Sequence, residues 1–197
     1  MAKPAQFDRQ DVVEKAMNLY WEKGFHATSM RNLQEVIDMR PGSIYAAFGS
    51  KEGLFSEALD NYVQRGVSKL HDYRVNFDSP MSALRAFVKS QVIGSVTRAP
   101  SGICMLAKTV SELTDEHSEL LDQARQALKT MEQEFAKVIV EAQDQGEVSK
   151  EKEAMSLASY IQVQIAGLRI YAKVAGESAP LEMMIDNIFE QMLLPRS

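Results

Sequence analysis

The sequence predicts an all-α protein with about nine helices. No segment shows the sustained alternation of apolar and polar residues that is typical of a strand, whereas apolar residues recur at helical spacing along the chain. Residues that favour the N-cap of a helix, such as Ser50 and Ser79, stand before many of these apolar stretches. Spacing and caps together therefore indicate helices throughout.

The helices can be placed in order along the chain. The first is predicted to stop at Gly24, and a short second helix follows the Thr-Ser pair at 28–29. Pro80 is predicted to open the fifth helix, and Thr114 and Ser149 are predicted to cap the seventh and eighth. The predicted helices cover residues 9–23, 30–37, 43–48, 50–74, 80–98, 103–113, 115–146, 150–175 and 180–194, with a break from Ala99 to Gly102 and a stop before Pro195.

The composition excludes several classes of protein. A single cysteine, Cys104, rules out a disulfide within one subunit and a multi-cysteine zinc site. The three histidines are scattered, and no Gly-rich phosphate loop or Glu-x-x-His motif occurs, so we expect no metal, no cofactor and no enzyme activity. The N-terminus lacks the apolar core of a signal peptide, and the charge-free stretch 154–168 is too short to span a bilayer. We expect a cytoplasmic protein with no membrane segment.

The charge distribution distinguishes the N-terminal quarter from the rest. The chain has 22 basic and 27 acidic residues and a net charge of −5. Residues 1–55 contain seven of each sign, so the remaining residues carry the whole excess of negative charge. An acidic protein is not an obvious partner for nucleic acid, and any DNA-binding surface must therefore be local.

Residues 25–55 contain the pattern that indicates function. A capped helix, a turn of four to five residues and a second short helix form a helix-turn-helix. Ile44 and Phe48 are expected to be buried, while the opposite face of the second helix is small enough to lie in a major groove. The N-termini of both helices offer backbone N–H groups to phosphates.

This segment is similar to a known family. Residues 42–55, GSIYAAFGSKEGLF, resemble the signature of the tetracycline-repressor (TetR) family of bacterial transcription regulators, and Gly24-Phe25 and Thr28-Ser29-Met30 fall where that family has a Gly-aromatic pair and a Thr-Thr/Ser pair. The resemblance implies base contacts by Gly42, Ser43 and Ala46 and phosphate contacts by Thr28, Ser29, Tyr45 and Lys51. Arg31 and Arg40 are added to the predicted DNA-binding set because of their charge and position.

The resemblance also implies two domains and a dimer. Residues 1–55 are predicted to form a three-helix DNA-binding domain, and residues 56–197 a larger α-helical domain for ligand binding and dimerisation.

The eighth predicted helix has two apolar stripes. The first seam consists of Ala154, Ala158, Ile161, Ile165, Leu168 and Ala172, and the second seam of Tyr160, Val163, Gly167, Ile170 and Val174.

A helix that is apolar on two faces must be covered twice, so one face is expected to pack within the subunit and the other on a partner. The predicted dimer interface is a four-helix bundle that contains Ile161, Ile165, Leu168, Met184, Ile188 and Met192. The alternative is a monomer that buries both seams.

A ligand pocket is expected among the middle helices, as the family resemblance implies. Its candidate residues are the flexible Met105 and Met131 and the polar Gln162, Gln164 and Arg169, although each also fits an ordinary core, interface or surface role. Cys104 is either a thiol sensor in the first turn of a helix, with Lys108 one turn along, or a small buried hydrophobic residue.

The predicted function is a homodimeric, ligand-responsive transcription regulator, most simply a repressor. It would bind a palindromic double-stranded operator and be released by a small-molecule effector or a thiol-reactive signal. The alternative is a DNA-binding adaptor that has no small ligand and is regulated by protein partners. Release of an operator complex by a small molecule would separate the two hypotheses.

Overall fold

The computed structural model describes residues 7–98 and 100–193. These residues form nine α-helices, no strand, and two short 3-10 turns at Asp115–His117 and Gly176–Ser178. The all-α prediction is therefore confirmed. The helices are α1 Arg9–Lys23, α2 Met30–Ile37, α3 Pro41–Phe48, α4 Lys51–Val75, α5 Pro80–Arg98, α6 Met105–Glu112, α7 Ser118–Asp144, α8 Ala154–Ala175 and α9 Leu181–Glu190.

Several predicted helix starts are confirmed by hydrogen bonds. The Ser29 hydroxyl accepts from the Asn32 N–H at 3.1 Å, the Ser50 hydroxyl from the Gly53 N–H at 3.1 Å, and the Ser79 hydroxyl from the Ser82 N–H at 3.0 Å. Each bond satisfies one of the N–H groups that the first turn of a helix leaves without a partner.

Two predicted caps are wrong. Thr114 makes no side-chain cap bond and precedes a 3-10 turn, so α7 begins at Ser118. The Ser149 hydroxyl accepts from the Glu151 N–H within a turn, and Glu153 is the residue that caps α8, with Oε1 2.9 Å from the Met155 N–H. The predicted break is confirmed at residues 100–102, which are not helical, and Ala99 and Pro195 lie outside the described part of the chain. The last helix is predicted to reach residue 194, but α9 ends at Glu190 and a turn follows it.

The chain divides into two compact units. The first contains residues 1–63 and 105–127, and the second contains residues 64–104 and 128–197. The first unit thus contains helices α1, α2 and α3 together with α6, which is distant from them in sequence. Within this unit, α1 packs against both α2 and α6. The two-domain division at residue 55 stays a prediction, because these units group the chain by contact and not by function.

Aromatic residues form the centre of the first unit. The Tyr20 and Phe55 rings meet edge to face at 4.7 Å, and the Phe25 ring lies 5.0 Å from Phe55. The Tyr20 hydroxyl donates to the Lys51 carbonyl at 3.1 Å, and burial raises the pKa of this phenol. Ile44 and Phe48 of α3 are buried as predicted.

The second unit has its own continuous core. α5 packs against α8 and α9, and the buried side chains include Phe87, Phe135 and Phe189. At the periphery Lys89 and Asp186 pair at 2.9 Å, which joins α5 to α9. No helix among the described residues is both long enough and apolar enough to cross a membrane.

Candidate nucleic-acid interface

The recognition surface is one face of α3. Ile44 and Phe48 point into the core of the first unit, and Gly42, Ser43, Tyr45 and Ala46 are exposed on the other side. The exposed set is small apart from Tyr45, so the helix backbone can approach another molecule closely. Pro41 occupies the first position of α3, where its missing N–H costs no hydrogen bond.

Close backbone contact fixes the C-terminal end of α3 against the start of α4. A Cβ added at Gly53 would lie 2.0 Å from the Phe48 carbonyl oxygen, so no larger residue fits there without moving the backbone. The Gly49 N–H ends α3 by donating to the Tyr45 carbonyl at 2.9 Å. The Gly53 contact thus requires the absence of a side chain, and Gly49 has a φ of +76°, a conformation that favours glycine.

Arg9 also holds α3, a role that no local sequence pattern indicates. Its guanidinium pairs with the Glu57 carboxylate, donates to the Ala47 carbonyl at 3.1 Å, and lies 4.5 Å above the centre of the Phe48 ring. One side chain of α1 therefore links α3 to α4. The partners are 38 and 48 residues away in sequence, beyond the range of any local pattern.

The predicted phosphate-binding residues differ in accessibility. Ser29 is exposed, and its hydroxyl takes part in a capping box with Asn32. Thr28 is 0 % exposed, and its hydroxyl donates to the Gly24 carbonyl at 2.6 Å. Thr28 is thus a packing residue of the turn, and a phosphate outside the molecule cannot reach it in this conformation.

Lys51 is partly buried at the start of α4. Its ammonium donates to the Phe25 carbonyl at 2.6 Å and lies 4.2 Å above the Phe25 ring centre. Burial lowers the pKa of Lys51, and the nearby carboxylates of Glu52 and Glu112 oppose that shift. An ammonium has three donors, so a bond to Phe25 leaves capacity for a phosphate.

The two predicted arginines are both exposed. Arg31 pairs with Glu35 at 3.0 Å along α2, and Arg40 is the N-cap residue of α3 without a side-chain cap bond. An exposed pair of this kind contributes little to stability, so the Arg31 guanidinium can exchange Glu35 for another anion at small cost.

The predicted effector-binding residues fall into different units. Met105 is buried in the first unit, while Cys104, Met131, Gln162, Gln164 and Arg169 belong to the second. Arg169 is buried and donates from Nε to the Gln91 carbonyl at 3.1 Å. Cys104 is partly buried one residue before α6, not in its first turn as predicted. The Lys108 ammonium donates to the Glu22 carbonyl at 2.7 Å.

The structure corrects the predicted interface on α8. Ile161 and Leu168 of the first seam are buried within the subunit, as are Ile188 and Met192 of the C-terminal segment, while Ile165 and Met184 are partly buried against the same core. The four buried residues thus belong to the fold of one chain, whereas an interface role for the partly exposed Ile165 and Met184 stays a prediction. The second seam is the exposed one, with Val163 at 65 % and Val174 at 81 % exposure.

Two family models match the chain. Residues 12–58 match the model of bacterial regulatory proteins of the tetR family, and residues 80–188 match the tetracyclin repressor-like C-terminal domain. Fold and site define a helix-turn-helix transcriptional regulator. The chain belongs to the tetR family, and it is a DNA-binding regulator of transcription, not an enzyme.

Relatives cover nearly the whole chain. The HTH-type transcriptional repressor ComR of Escherichia coli (strain K12) is 26% identical over 185 residues, which are 93% of this chain and 86% of ComR. A CifR cysteine mutant, solved with 26-bp double-strand operator DNA, superposes with a TM-score of 0.86 at 23% identity over 97% of this chain and all of that chain. The reduced form of E. coli NemR gives a TM-score of 0.81 at 15% identity, covering 96% and 98%.

Proposed function

We propose that the protein is a homodimeric repressor in the cytoplasm that binds a palindromic operator through α2 and α3. A small-molecule or thiol-reactive signal, received in the second unit, releases it from the DNA. The repressor role is supported by ComR, a repressor that aligns over most of both chains. The compartment follows from the proposed partner, because the protein must reach chromosomal DNA.

The exposed face of α3 is the observation that carries the DNA-binding surface. The exposed surface of α3 carries only small side chains at Gly42, Ser43 and Ala46. It is flanked by the Tyr45 hydroxyl and the Arg40 guanidinium. Base edges in a major groove are read by a helix that approaches closely, while flanking polar groups bind phosphates. We accordingly propose that Gly42, Ser43 and Ala46 contact DNA bases. The DNA phosphates would be contacted by Ser29, Arg31, Arg40, Tyr45 and Lys51.

Substitution of Gly42 by alanine tests this surface. An added Cβ meets no atom within 4 Å in the free protein, and alanine favours a helix over glycine by about 1 kcal/mol. Gly42→Ala should therefore fold at least as well as the wild type and yet bind its operator more weakly, because the methyl group occupies space that the DNA needs.

Gly94→Ala is the matched control, since Gly94 lies in α5 and its added Cβ also meets no atom within 4 Å. The probe is a 30-bp duplex recovered by the wild-type protein from a random-sequence pool, titrated by fluorescence anisotropy. Equal affinity of the Gly42→Ala and Gly94→Ala variants would contradict the assignment of this face to bases.

The exposed second seam supports the dimer. Tyr160, Val163, Ile170 and Val174 leave an apolar stripe along one side of α8, while the first seam is covered by its own subunit. A second copy of the same helix would cover this stripe by two-fold symmetry. Two copies of α3 spaced one helical turn apart would then read the two halves of a palindrome.

The releasing signal is proposed to act in the second unit, where Cys104 is the candidate thiol. The similar CifR structure is of a cysteine mutant, and the similar NemR structure is of the reduced form. This chain has one cysteine, Cys104, and it is not in a disulfide. A thiol signal predicts that mild peroxide abolishes binding of the selected duplex by the wild type and not by Cys104→Ser. If treatment has no effect, the sensor is a reversible ligand of the second unit, and failure of every small molecule would favour the adaptor alternative.

A further inference from the structure

We propose that Glu112 and Lys108 of α6 are positioning residues for DNA binding, because they hold the turn between α1 and α2 in place. The inference rests on the proposed function and adds to it a part of the DNA-binding machinery outside residues 1–55. All the groups involved lie in the first compact unit.

Glu112 binds the turn through both carboxylate oxygens. Oε2 accepts from the Phe25 N–H at 3.1 Å, and Oε1 accepts from the His26 N–H at 2.7 Å. Hydrogen bonds to an ionised acceptor are stronger than those between neutral groups, and two bonds from one carboxylate also fix direction. Residues 25 and 26 are therefore held at two adjacent points by a residue 86 to 87 positions away.

Lys108 binds the end of the preceding helix. Its ammonium donates to the Glu22 carbonyl at 2.7 Å and to the Trp21 carbonyl at 3.3 Å. The last carbonyls of a helix lack partners within the helix and carry its negative end, so a cation there is favourable. Lys108 and Glu112 are four residues apart and so lie on the same side of α6.

Gly24 explains how the carboxylate comes so close. Its φ is +90°, a conformation that favours glycine, and its N–H ends α1 by donating to the Tyr20 carbonyl at 2.7 Å. A Cβ at this position would lie 2.4 Å from Glu112 Oε2. The missing side chain of Gly24 thus provides the space in which the Glu112 carboxylate lies.

The turn passes this restraint on to the helix-turn-helix. Within the turn the Thr28 hydroxyl donates to the Gly24 carbonyl, and Lys51 of α4 donates to the Phe25 carbonyl. Ser29, the next residue, caps α2. Gly24, Phe25 and His26 thus each have a backbone group bound by a side chain from another part of the first unit or of the turn, and the start of α2 is fixed relative to α6. Loss of the Glu112 bonds would free the Phe25 and His26 amides and loosen this orientation.

The test uses the full chain with Glu112→Ala and the milder Glu112→Gln, which keeps one acceptor oxygen. Glu116→Ala is the control, because Glu116 is an exposed glutamate four residues further along. The probes are the 30-bp duplex that the wild type selects from a random pool and a scrambled duplex of equal length.

Glu112→Ala should bind the selected duplex about 10-fold to 100-fold more weakly, because binding must then reorder the loosened turn, and bind the scrambled duplex within about twofold of the wild type. The affinity of Glu112→Gln for the selected duplex should lie between those of the wild type and Glu112→Ala. In the free protein, amide hydrogen exchange of Phe25 and His26 should accelerate in Glu112→Ala and stay unchanged in Glu116→Ala.

Two results would overturn the inference: unchanged exchange at both amides, or a selected duplex that Glu112→Ala and Glu116→Ala bind equally well. If Glu112→Ala does not fold, the same comparison is made with Glu112→Gln. Failure of the wild type to enrich any duplex is a different result, because it refutes the proposed function.

Discussion

The exposed seam of α8 gives a quantitative prediction about assembly. Val163 is 65 % exposed in one chain, although valine is normally buried. If a second copy covers the second seam, replacing Val163 with glutamate places a charge in the centre of that contact. Val163→Glu should therefore separate the dimer without unfolding the subunit.

The magnitude follows from the exposed fraction. Full burial of a valine side chain is worth about 1.5 to 3 kcal/mol, so the exposed part of Val163 contributes about 1 to 2 kcal/mol per copy. A two-fold interface contains two copies, which gives about 2 to 4 kcal/mol. At 1.4 kcal/mol per factor of ten, the dissociation constant of the dimer should rise about 30-fold to 700-fold, and the buried charge adds to this.

Sedimentation equilibrium over a range of protein concentrations measures this constant. Val140→Glu is the control, because Val140 of α7 is also an exposed valine, at 46 %, and lies outside the second seam. Ile161→Ala tests the inward seam: Ile161 is 1 % exposed, so its truncation should lower the free energy of unfolding by about 2 to 5 kcal/mol and leave assembly intact. Dimerisation of Val163→Glu equal to that of Val140→Glu, or a wild type that is monomeric at tens of micromolar, would refute the second seam as the dimer contact.

Three further substitutions test individual contacts. Lys51→Ala should weaken binding to the scrambled duplex and make the slope of log K against log salt shallower by about 0.9, and it should weaken binding to the selected duplex at least as much because the Phe25 carbonyl also loses its bond. An unchanged slope would remove its phosphate role. Thr28→Val should leave that slope unchanged and lower the free energy of unfolding in urea by about 1 to 2 kcal/mol, because the Gly24 carbonyl loses its bond. The pKa of Glu153 is lowered by bonds from the Ser156 hydroxyl and the first N–H groups of α8, so its stabilising effect is present above the ordinary carboxyl range and is lost as pH falls through the lowered value. Glu153→Gln should therefore have a lower melting temperature than the wild type at pH 7, and this difference should shrink in acid. A difference in melting temperature that does not depend on pH would contradict this.

Local regularities explain what could be predicted from the sequence. Helix spacing depends on residues three and four apart, so the helices themselves, the buried Ile44 and Phe48, and the caps Ser50 and Ser79 could be located without a structure. The cap of α2 could be narrowed only to the Thr-Ser pair at 28–29, and the structure assigns it to Ser29. The segment 42–55 could be assigned to a family for the same reason, because a helix-turn-helix is a local motif, in which Gly53 packs against the Phe48 carbonyl five residues away.

Choices between equivalent local patterns were decided only by tertiary packing. The two seams of α8 are equally apolar in sequence, and only packing within the second unit determines that the first is covered and the second exposed. Thr28 turns inward since a carbonyl accepts its hydroxyl there. Glu112 and Arg9 find partners 38 to 87 residues away, and no helical period carries information over that distance. The sequence by itself thus determined which helices form and which family they belong to, whereas the tertiary structure decided which of their faces meet, because the packing partner of a face is a non-local property of the chain.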